Sequence, residues 1–347
     1  MVFKIRKSFV LTPGGFFVNH PLPIWLTSLE IKLTGKFTMK ENILKLLGNG
    51  NTEFISGIEI SSHLGISRVA VWKHIKKLIK EGYEIDSSPR GYRLKTCRDL
   101  LSFRQEMGQE AVRFFPVVDS TMDRARTLAK EGAPHFTIVI AEQQNRGRGR
   151  LNRSWLSQKG GLWFTIILKP DLPCQLGFKV NFAASLCLAR TLNKLFQINA
   201  TVKWPNDILV ENKKLVGLLS EMETRGDMIS FLNVGIGINV NNQPEIQEPN
   251  GVSIRTLMGH EVSRKIILST FLNDFKAMVE NILEENIIDL WKKHTSTIGK
   301  RVKIRTITEE YEGVALDVDE TGTLILLQDD NTTRRVIYGD CFHGVDR

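Results

Sequence analysis

The hydrophobic pattern changes twice along this chain, and those changes constrain the fold more than any other feature. Apolar residues recur at helical spacing through 41–80, helical and strand-like runs are interspersed through 98–296, and short alternating strands fill 297–347. A chain of 347 residues is also long for one domain. We therefore predict an α+β multidomain protein with domains at 39–97, 98–296 and 297–347, after an extension at 1–38 that we expect to be poorly ordered.

The sequence argues against secretion and membrane insertion. Apolar stretches within residues 1–38 are interrupted by polar residues and prolines and lack a small-residue cleavage site, so they do not form a signal peptide. No stretch approaches the ~18 consecutive apolar residues of a membrane span. The four cysteines are scattered without a CxxC pair, which argues against a disulfide framework and a cysteine zinc site. We expect a cytoplasmic protein with no metal site built from its own side chains.

Charge separates the first quarter of the chain from the rest. Residues 1–97 contain 15 Lys and Arg against 7 Asp and Glu, whereas the remaining residues contain 32 and 31. A basic segment on a nearly neutral body is typical of an attached nucleic-acid-binding module. A basic face that only aids solubility explains the charge equally well.

Local signals within 41–97 favour the nucleic-acid reading. Ile58, Ile60 and Leu64 mark a helix that a glycine ends, and Ser67 is a good N-cap for a basic helix whose apolar positions include Ile79. A Ser-Pro-Arg-Gly turn between strand-like residues completes a winged helix-turn-helix. A small helical domain with a solvated basic face is the alternative. The residues expected to contact DNA are Ser67, Arg68, Trp72, Lys73, Lys76, Arg90 and Arg93.

An arginine-rich and glycine-rich segment, residues 145–154, lies between the buried strand patterns at 136–141 and 162–168. We call it the arginine loop. Guanidinium groups bind phosphate or carboxylate in pairs of hydrogen bonds, and glycine lets the backbone approach a ligand closely. Two GxGxxG matches fail at their last position, and no GxxxxGK[ST] is present. The loop therefore predicts an anion site of another type, with a solvated basic loop as the alternative.

A second polar segment, Lys203-Trp204-Pro205-Asn206-Asp207, precedes Lys214 by seven residues. A lysine near a phosphate acts as a point charge, and Asp207 could orient or deprotonate an amine. Taken alone, this segment could equally be a turn.

These segments occur together in a specific order. Asp119-Ser120-Thr121, the arginine loop with Trp155, Lys203–Asp207, Lys214–Gly217 and Gly235–Asn239 together resemble the bacterial biotin–protein ligase family. With the winged helix ahead of them, the chain resembles its bifunctional class, the biotin operon repressors, over residues 40–347. The resemblance implies a central mixed-sheet domain of the class II synthetase-like type and a C-terminal SH3-like small β-barrel.

The resemblance also implies a two-step reaction. Biotin and ATP with Mg²⁺ give biotinoyl-5′-AMP and pyrophosphate, and a lysine of a biotin carboxyl carrier protein then attacks the mixed anhydride. Both steps need charge stabilisation and positioning rather than a protein nucleophile. The implied partners are the carrier protein, operator DNA and a second copy of the chain when the adenylate is bound.

Residue roles follow the same resemblance, position by position. Arg148, Lys214 and Asp207 are the expected catalytic residues. Biotin is expected to contact Ser120, Thr121, Gln144, Gly147, Arg148, Gly149, Arg150 and Lys214, and the nucleotide Arg150, Arg153, Trp155, Asn206 and Asn239. Met122, Arg146 and Asn152 depart from the family pattern. A lipoate-type protein ligase and a ligand-sensing regulator with decayed ligase activity remain alternatives.

Overall fold

The computed structural model describes residues 38–48, 54–95, 98–108 and 110–343. Apart from Thr38, the extension predicted at 1–38 lies outside the described residues.

The described residues between 39 and 94 form the predicted winged helix. Its elements are helices α1 (Met39–Gly48), α2 (Gly57–Leu64) and α3 (Arg68–Lys80), followed by strands β1 (Ile85–Ser88) and β2 (Gly91–Leu94), which pair antiparallel. Gly65 ends α2 at a φ of 63°, a conformation that glycine adopts without steric cost. The Ser67 side chain accepts a hydrogen bond from the backbone N–H of Ala70 at 3.1 Å, which confirms the predicted N-cap.

Two apolar residues of the winged helix that the sequence pattern placed on the buried face are exposed. Ile60 is buried as the helical spacing indicated, and so are Val71, Ile75 and Leu78 of α3. Ile79 is exposed, because its neighbour Leu78 occupies the inward face of α3. Ile58, in the first turn of α2, is exposed as well. The buried face of these helices is therefore narrower than the apolar spacing suggested.

A seven-stranded mixed sheet forms the centre of the molecule, which confirms the predicted α+β class. Its order is β3-β4-β5-β9-β8-β7-β6, and only β3 and β4 pair in parallel. The strands are β3 (Val112–Val118), β4 (Thr137–Gln144), β5 (Leu162–Leu168), β6 (Thr201–Lys203), β7 (Asp207–Val210), β8 (Lys213–Arg225) and β9 (Met228–Ile238).

Helices cover both faces of this sheet. They are α4 (Arg98–Met107), α5 (Thr121–Lys130), α6 (Phe178–Phe196), α7 (Ile254–Met258), α8 (Arg264–Glu280) and α9 (Ile287–Lys292), with short 3₁₀ turns at Arg150–Asn152, Cys174–Leu176 and Pro244–Ile246. Along β4, Ile138 and Ile140 join the large core that contains α6 and α8, whereas Val139 packs with Ala125 and Ala129 of α5. This alternation is what a strand buried on both faces requires.

The last described residues form a five-stranded antiparallel sheet, as expected for the small all-β domain. Its strands are β10 (Arg301–Arg305), β11 (Glu310–Val318), β12 (Leu324–Leu327), β13 (Thr333–Val336) and β14 (Asp340–His343), in the order β13-β12-β11-β10-β14. The positions of the three domain boundaries stay predictions. Across the described ranges, the helices are all too short or too polar to cross a membrane.

Candidate ligase site and DNA-binding surface

Two glycines on adjacent strands make room for an indole. Gly217 of β8 pairs in register with Gly237 of β9, and the Trp155 ring lies against both. A Cβ atom at Gly217 would come within 2.9 Å of this ring, and one at Gly237 within 2.4 Å of its Nε1. Contacts this short do not occur between real side chains, so glycine is required at both positions for Trp155 to lie flat on the sheet.

A cluster of neutral polar side chains lies next to Trp155, since the Ser157 hydroxyl donates to the Trp155 carbonyl oxygen at 3.1 Å. The Gln144 Oε1 accepts hydrogen bonds from the Thr121 backbone N–H at 2.7 Å and from its hydroxyl at 3.0 Å, and Gln144 Nε2 donates to Ser157 at 2.7 Å. Thr165 donates to the Thr121 hydroxyl at 2.9 Å. The Ser120 hydroxyl is buried and has no hydrogen-bond partner among the described residues. A buried hydroxyl of this kind is suited to a neutral hydrogen-bonding ligand.

Lys214 lies over the Trp155 ring and is paired with the carboxylate of Asp207. Its Nζ lies 2.7 Å from Asp207 Oδ1 and 5.1 Å from the centre of the Trp155 ring. Lys203 approaches the other carboxylate oxygen at 3.9 Å. The Lys214 backbone is fixed by hydrogen bonds to Asn250 and Val252 at 2.7 and 3.0 Å. Lys214 is therefore a fixed cation over an aromatic face, paired with one carboxylate.

The arginine loop is held by its own backbone and by ion pairs. Gly147 O accepts from Trp155 N at 2.8 Å, and a Cβ at Gly147 would meet the Trp155 carbonyl oxygen at 2.3 Å. Gly149 N donates to Arg153 O at 2.8 Å. The Arg148 guanidinium lies 2.7 Å from Asp123 and 3.3 Å from Glu221. Arg148 is thus engaged with carboxylates of α5 and β8 rather than with the neutral polar cluster.

Two further arginines of the loop, Arg150 and Arg153, reach the C-terminal sheet. Arg150 donates to Asn206 Oδ1 at 3.3 Å and to the carbonyl of Gly339 at 3.0 Å, and Arg153 forms an ion pair with Asp340. Burial holds the pKa of Arg150 below its ordinary value, although the carboxylates of Asp340 and Asp207 oppose the shift. Arg150 therefore lies in the field of the same Asp207 carboxylate that Lys214 contacts.

Asn239 lies directly after the end of β9, two residues beyond Gly237, and is buried. Its Oδ1 accepts from Asn242 Nδ2 at 2.9 Å, and its backbone N–H donates to Leu215 O at 3.0 Å. It is therefore placed next to Lys214 through the backbone, and its side-chain oxygen is paired with Asn242.

The winged helix presents an exposed basic face. Arg68, Trp72, Lys73 and Lys76 are exposed along α3, with Lys76 Nζ 4.9 Å from the Trp72 ring centre. On the wing, the Arg90 side chain is exposed and lies over Phe54.

Arg93 is placed differently from the other predicted DNA contacts. Its guanidinium lies 2.8 Å from Asp86 and 4.6 Å from the Phe54 ring centre. Asp86 also pairs with Lys95 at 2.9 Å, so this carboxylate holds both cationic side chains on the wing.

Several site residues were not found by reading the sequence. Ser157 and Thr165 orient the predicted pair Thr121 and Gln144, and they are ordinary polar residues in a strand and a loop. Asp123, Glu221 and Asp340 supply the partners of the loop arginines, from elements distant in the chain. The sequence indicates only that the four arginines of the loop need carboxylate partners. It does not indicate which Asp or Glu residues supply them.

Comparisons with known proteins match the same regions. Residues 114–241 match the Biotin/lipoate A/B protein ligase family, residues 40–93 an HTH domain, and residues 297–344 the Biotin protein ligase C terminal domain. The chain is 36% identical over 307 residues to the bifunctional ligase/repressor BirA of Bacillus subtilis (strain 168), an alignment covering 83% of this chain and 94% of the relative. The chain belongs to the bifunctional biotin–protein ligase family.

Two further relatives agree with this membership. The bifunctional ligase/repressor BirA of Escherichia coli (strain K12) is 29% identical over 311 residues, which cover 84% of this chain and 94% of the relative. The biotin protein ligase from Aquifex aeolicus in complex with biotin and ATP superimposes with a TM-score of 0.57 at 27% identity, covering 67% of this chain and 98% of that one. As a member of the family, the chain combines the ligase fold with a DNA-binding head.

Proposed function

We propose that this chain is an ATP-dependent biotin–protein ligase that also represses transcription in response to biotin. The observation that carries the ligase proposal is a continuous set of contacts across the site. Thr121 and Gln144 are at one end, and Lys214 and Asp207 are at the other. Trp155, which packs on the two strand glycines, lies between them and contacts Lys214. Such a site offers hydrogen bonds to a neutral ring at one end and positive charge to a carboxylate and phosphates at the other.

The neutral cluster is proposed to bind the ureido group of biotin. The free Ser120 hydroxyl and the Thr121 hydroxyl face the ligand, and Gln144 holds Thr121 in place. Gly147 and Gly149 bring the backbone of the arginine loop close to the ring, and Arg148 covers it after leaving Asp123 and Glu221. Burying hydrogen-bonding groups that only a matching ligand satisfies gives strong discrimination between ligands.

The cationic side is proposed to bind ATP. Lys214 neutralises the biotin carboxylate and the α-phosphate as they approach each other, and Arg150 and Arg153 contact the remaining phosphates. Asn206 positions Arg150, Trp155 packs against the nucleotide, and Asn239 lies at its adenine side. The carboxylate oxygen of biotin attacks the α-phosphorus, and pyrophosphate leaves.

Mg²⁺ belongs to this proposal as the partner of the nucleotide. Among the residues described here, no group of three or more His, Cys, Asp or Glu side chains is placed to hold a metal ion. Mg²⁺ commonly binds through substrate phosphates and retains several waters. The chain's own contribution to adenylation is therefore assigned to its cations.

Asp207 is proposed to act in the transfer step. The amine of a lysine on a biotin carboxyl carrier protein attacks the acyl carbon, AMP leaves, and the amine proton passes to the Asp207 carboxylate. Asp207 is half-buried beside Lys203 and Lys214, which hold it in the site. General bases of this kind must lie within hydrogen-bond reach of the proton they accept.

Repression is proposed to use the exposed face of α3 and the wing. One winged helix makes few base contacts, so two heads in an adenylate-bound homodimer would bind operator DNA much more tightly than one. Contacts to phosphates make this binding weaken as salt rises. The setting for both activities is proposed to be the cytoplasm, where ATP, carrier protein and operator DNA meet.

A single incubation tests the ligase proposal. The full chain is mixed with a carrier domain, ATP, Mg²⁺ and either labelled biotin or labelled lipoate. We expect label on the carrier only with biotin and ATP. Label from lipoate would support a lipoate-type ligase instead, and no label with either substrate would support a regulator that has lost ligase activity.

A gel shift tests repression separately. Operator binding should tighten with biotin plus ATP and weaken when unmodified carrier is added. Arg68→Ala should abolish operator binding and leave carrier labelling unchanged. Operator affinity that does not depend on biotin and ATP would refute ligand-controlled repression.

A further inference from the structure

A buried ion network lies behind the neutral polar cluster. Arg264, the first residue of α8, is almost fully buried and donates from Nη1 to both oxygens of Glu142 at 3.0 and 2.8 Å. The same nitrogen donates to the carbonyl of Gly161 at 3.1 Å. On its other side, Arg264 binds the Asp99 carboxylate through Nε, Nη2 and its backbone N–H, at 2.9–3.2 Å.

Glu142 connects Arg264 to segments of the proposed biotin site. Glu142 lies two residues before Gln144 on β4, and its Oε1 also accepts from the backbone N–H of Gly160 at 3.1 Å. Gly160 O in turn accepts from Asn241 N at 2.9 Å, in the segment that follows Asn239. The loop after Trp155 and the turn after β9 are thereby fixed to the strand that carries Gln144.

Asp99 leads in the other direction. It lies in α4, which joins the winged helix to the central domain and which we call the connecting helix. Farther along the connecting helix, Arg104 forms a mostly buried ion pair at 2.8 Å with Glu41 of α1. Lys159, next to Gly160, forms an ion pair with Glu84 just before β1. Among the described residues, the ion pair between Lys159 and Glu84 joins the DNA-binding head directly to the loop after Trp155, and a longer series of contacts joins them through Arg264.

The charge balance shows how far this network depends on Arg264. Burial favours the neutral form of both carboxyl groups, yet the Arg264 guanidinium outweighs it at Asp99, whose pKa lies below its ordinary value. At the more deeply buried Glu142, burial outweighs the guanidinium and the pKa is raised. Removing one partner of a buried pair leaves an uncompensated charge, which is costly.

We propose that Glu142 and Arg264 are positioning residues of the biotin pocket, and that Asp99 couples them to the connecting helix. This inference rests on the proposed ligase function. Neither residue contacts the proposed ligand positions. Glu142 acts through the Gly160 backbone and the end of β4, whereas Asp99 acts through Arg264. The two carboxylates should therefore differ in which activity they affect.

Two near-isosteric variants separate these roles. Glu142→Gln keeps an oxygen for Gly160 but loses the charge that faces Arg264. We expect the KM for biotin to rise about tenfold at nearly unchanged kcat, in line with the loss of a charge-assisted hydrogen bond. Asp99→Asn should leave the KM for biotin within about twofold and reduce the tightening of operator binding by biotin plus ATP about tenfold. Arg264→Lys, which retains charge without the planar fork, should show both effects.

Hydrogen exchange provides a readout that does not depend on ligase activity. In the full-length protein without ligand, Glu142→Gln should accelerate exchange of the Gly160 amide, and Asp99→Asn should not. A biotin KM and Gly160 exchange that both stay at wild-type values in a folded Glu142→Gln variant would overturn the proposal, as would unchanged ligand dependence of operator binding in Asp99→Asn. If the wild-type chain does not label carrier with biotin, the proposed function fails, and the exchange experiment still decides whether Glu142 fixes this loop.

Discussion

Replacing Gly237 with alanine tests whether the absence of a side chain at this strand position sets the position of Trp155. The new Cβ would lie 2.4 Å from Trp155 Nε1 and 2.8 Å from its Cε2, whereas carbon atoms in contact are normally about 3.5–4.0 Å apart. The indole must therefore move by roughly 1 Å, away from a strand that is buried in the sheet. Lys214 lies over this ring, so its position should change as well.

The expected size follows from overpacking, which typically costs about 1–3 kcal/mol. If that cost falls on ligand binding, the KM for biotin or ATP rises roughly 5- to 150-fold. Gly235→Ala is the matched control on the same strand. Its Cβ would meet the Met122 sulfur at 2.6 Å and the Leu219 carbonyl oxygen at 3.3 Å, and the flexible methionine side chain can adjust where the indole ring cannot. Biotin-dependent exchange of pyrophosphate into ATP measures both variants, with thermal unfolding to check the fold.

The reasoning fails if Gly237→Ala retains wild-type kinetics and stability. It fails equally if Gly235→Ala impairs adenylation to the same extent, because a rigid ring and a flexible side chain would then have the same effect.

Three further predictions concern single side chains. Lys214→Ala should lose about 1.5–3 kcal/mol of charge-assisted binding and most biotin-dependent pyrophosphate exchange, whereas Lys213→Ala, at the exposed neighbouring position, should retain it; equal losses would contradict the assignment. Arg148→Ala should form adenylate but release it, so that surface lysines of added bystander proteins become labelled, while exposed Arg146→Ala keeps carrier selectivity; unchanged retention in Arg148→Ala would argue against loop closure. Burial, with Lys203 and Lys300 nearby, lowers the pKa of His343 to about 4, so the folded state resists protonation and stability should fall as the pH decreases from about 6.5 towards 4. Urea unfolding across this range should show a flatter pH dependence for His343→Gln, and equal slopes for the two proteins would exclude His343 as the cause.

Much of the fold could be predicted because local patterns agree with it. The apolar run at 162–168 is β5 without change, and the amphipathic spacing of residues 264–282 predicts a helix that ends only two residues earlier in the structure. The Ser67 cap and the Gly65 stop also appear as expected, since both depend on neighbouring backbone groups. Features governed by a few consecutive residues are therefore readable from sequence.

The candidate site was predictable in its residue types and not in its partners. Its residue composition predicts that the arginine loop is an anion site, but the ion pairs of the loop with Glu221 and Asp340 join residues 73 and 187 positions apart, which no local pattern encodes. Arg264 is a sharper case. An arginine at the start of a helix usually lies in solvent and is unfavourable next to the helix dipole. Its burial depends on Glu142 and Asp99, which only the fold brings to it.

The contacts from Arg150 to Gly339 and from Arg153 to Asp340 have a consequence for the order of folding. The residues joined by the first contact are 189 positions apart, so closing it is among the most costly steps in chain entropy. Until β14 docks, these guanidinium groups lack those partners on the C-terminal sheet, and the arginine loop is a more strongly cationic segment than in the native state. Folding intermediates should therefore bind polyanions such as nucleic acid more readily than the finished enzyme, and refolding yield should depend on ionic strength.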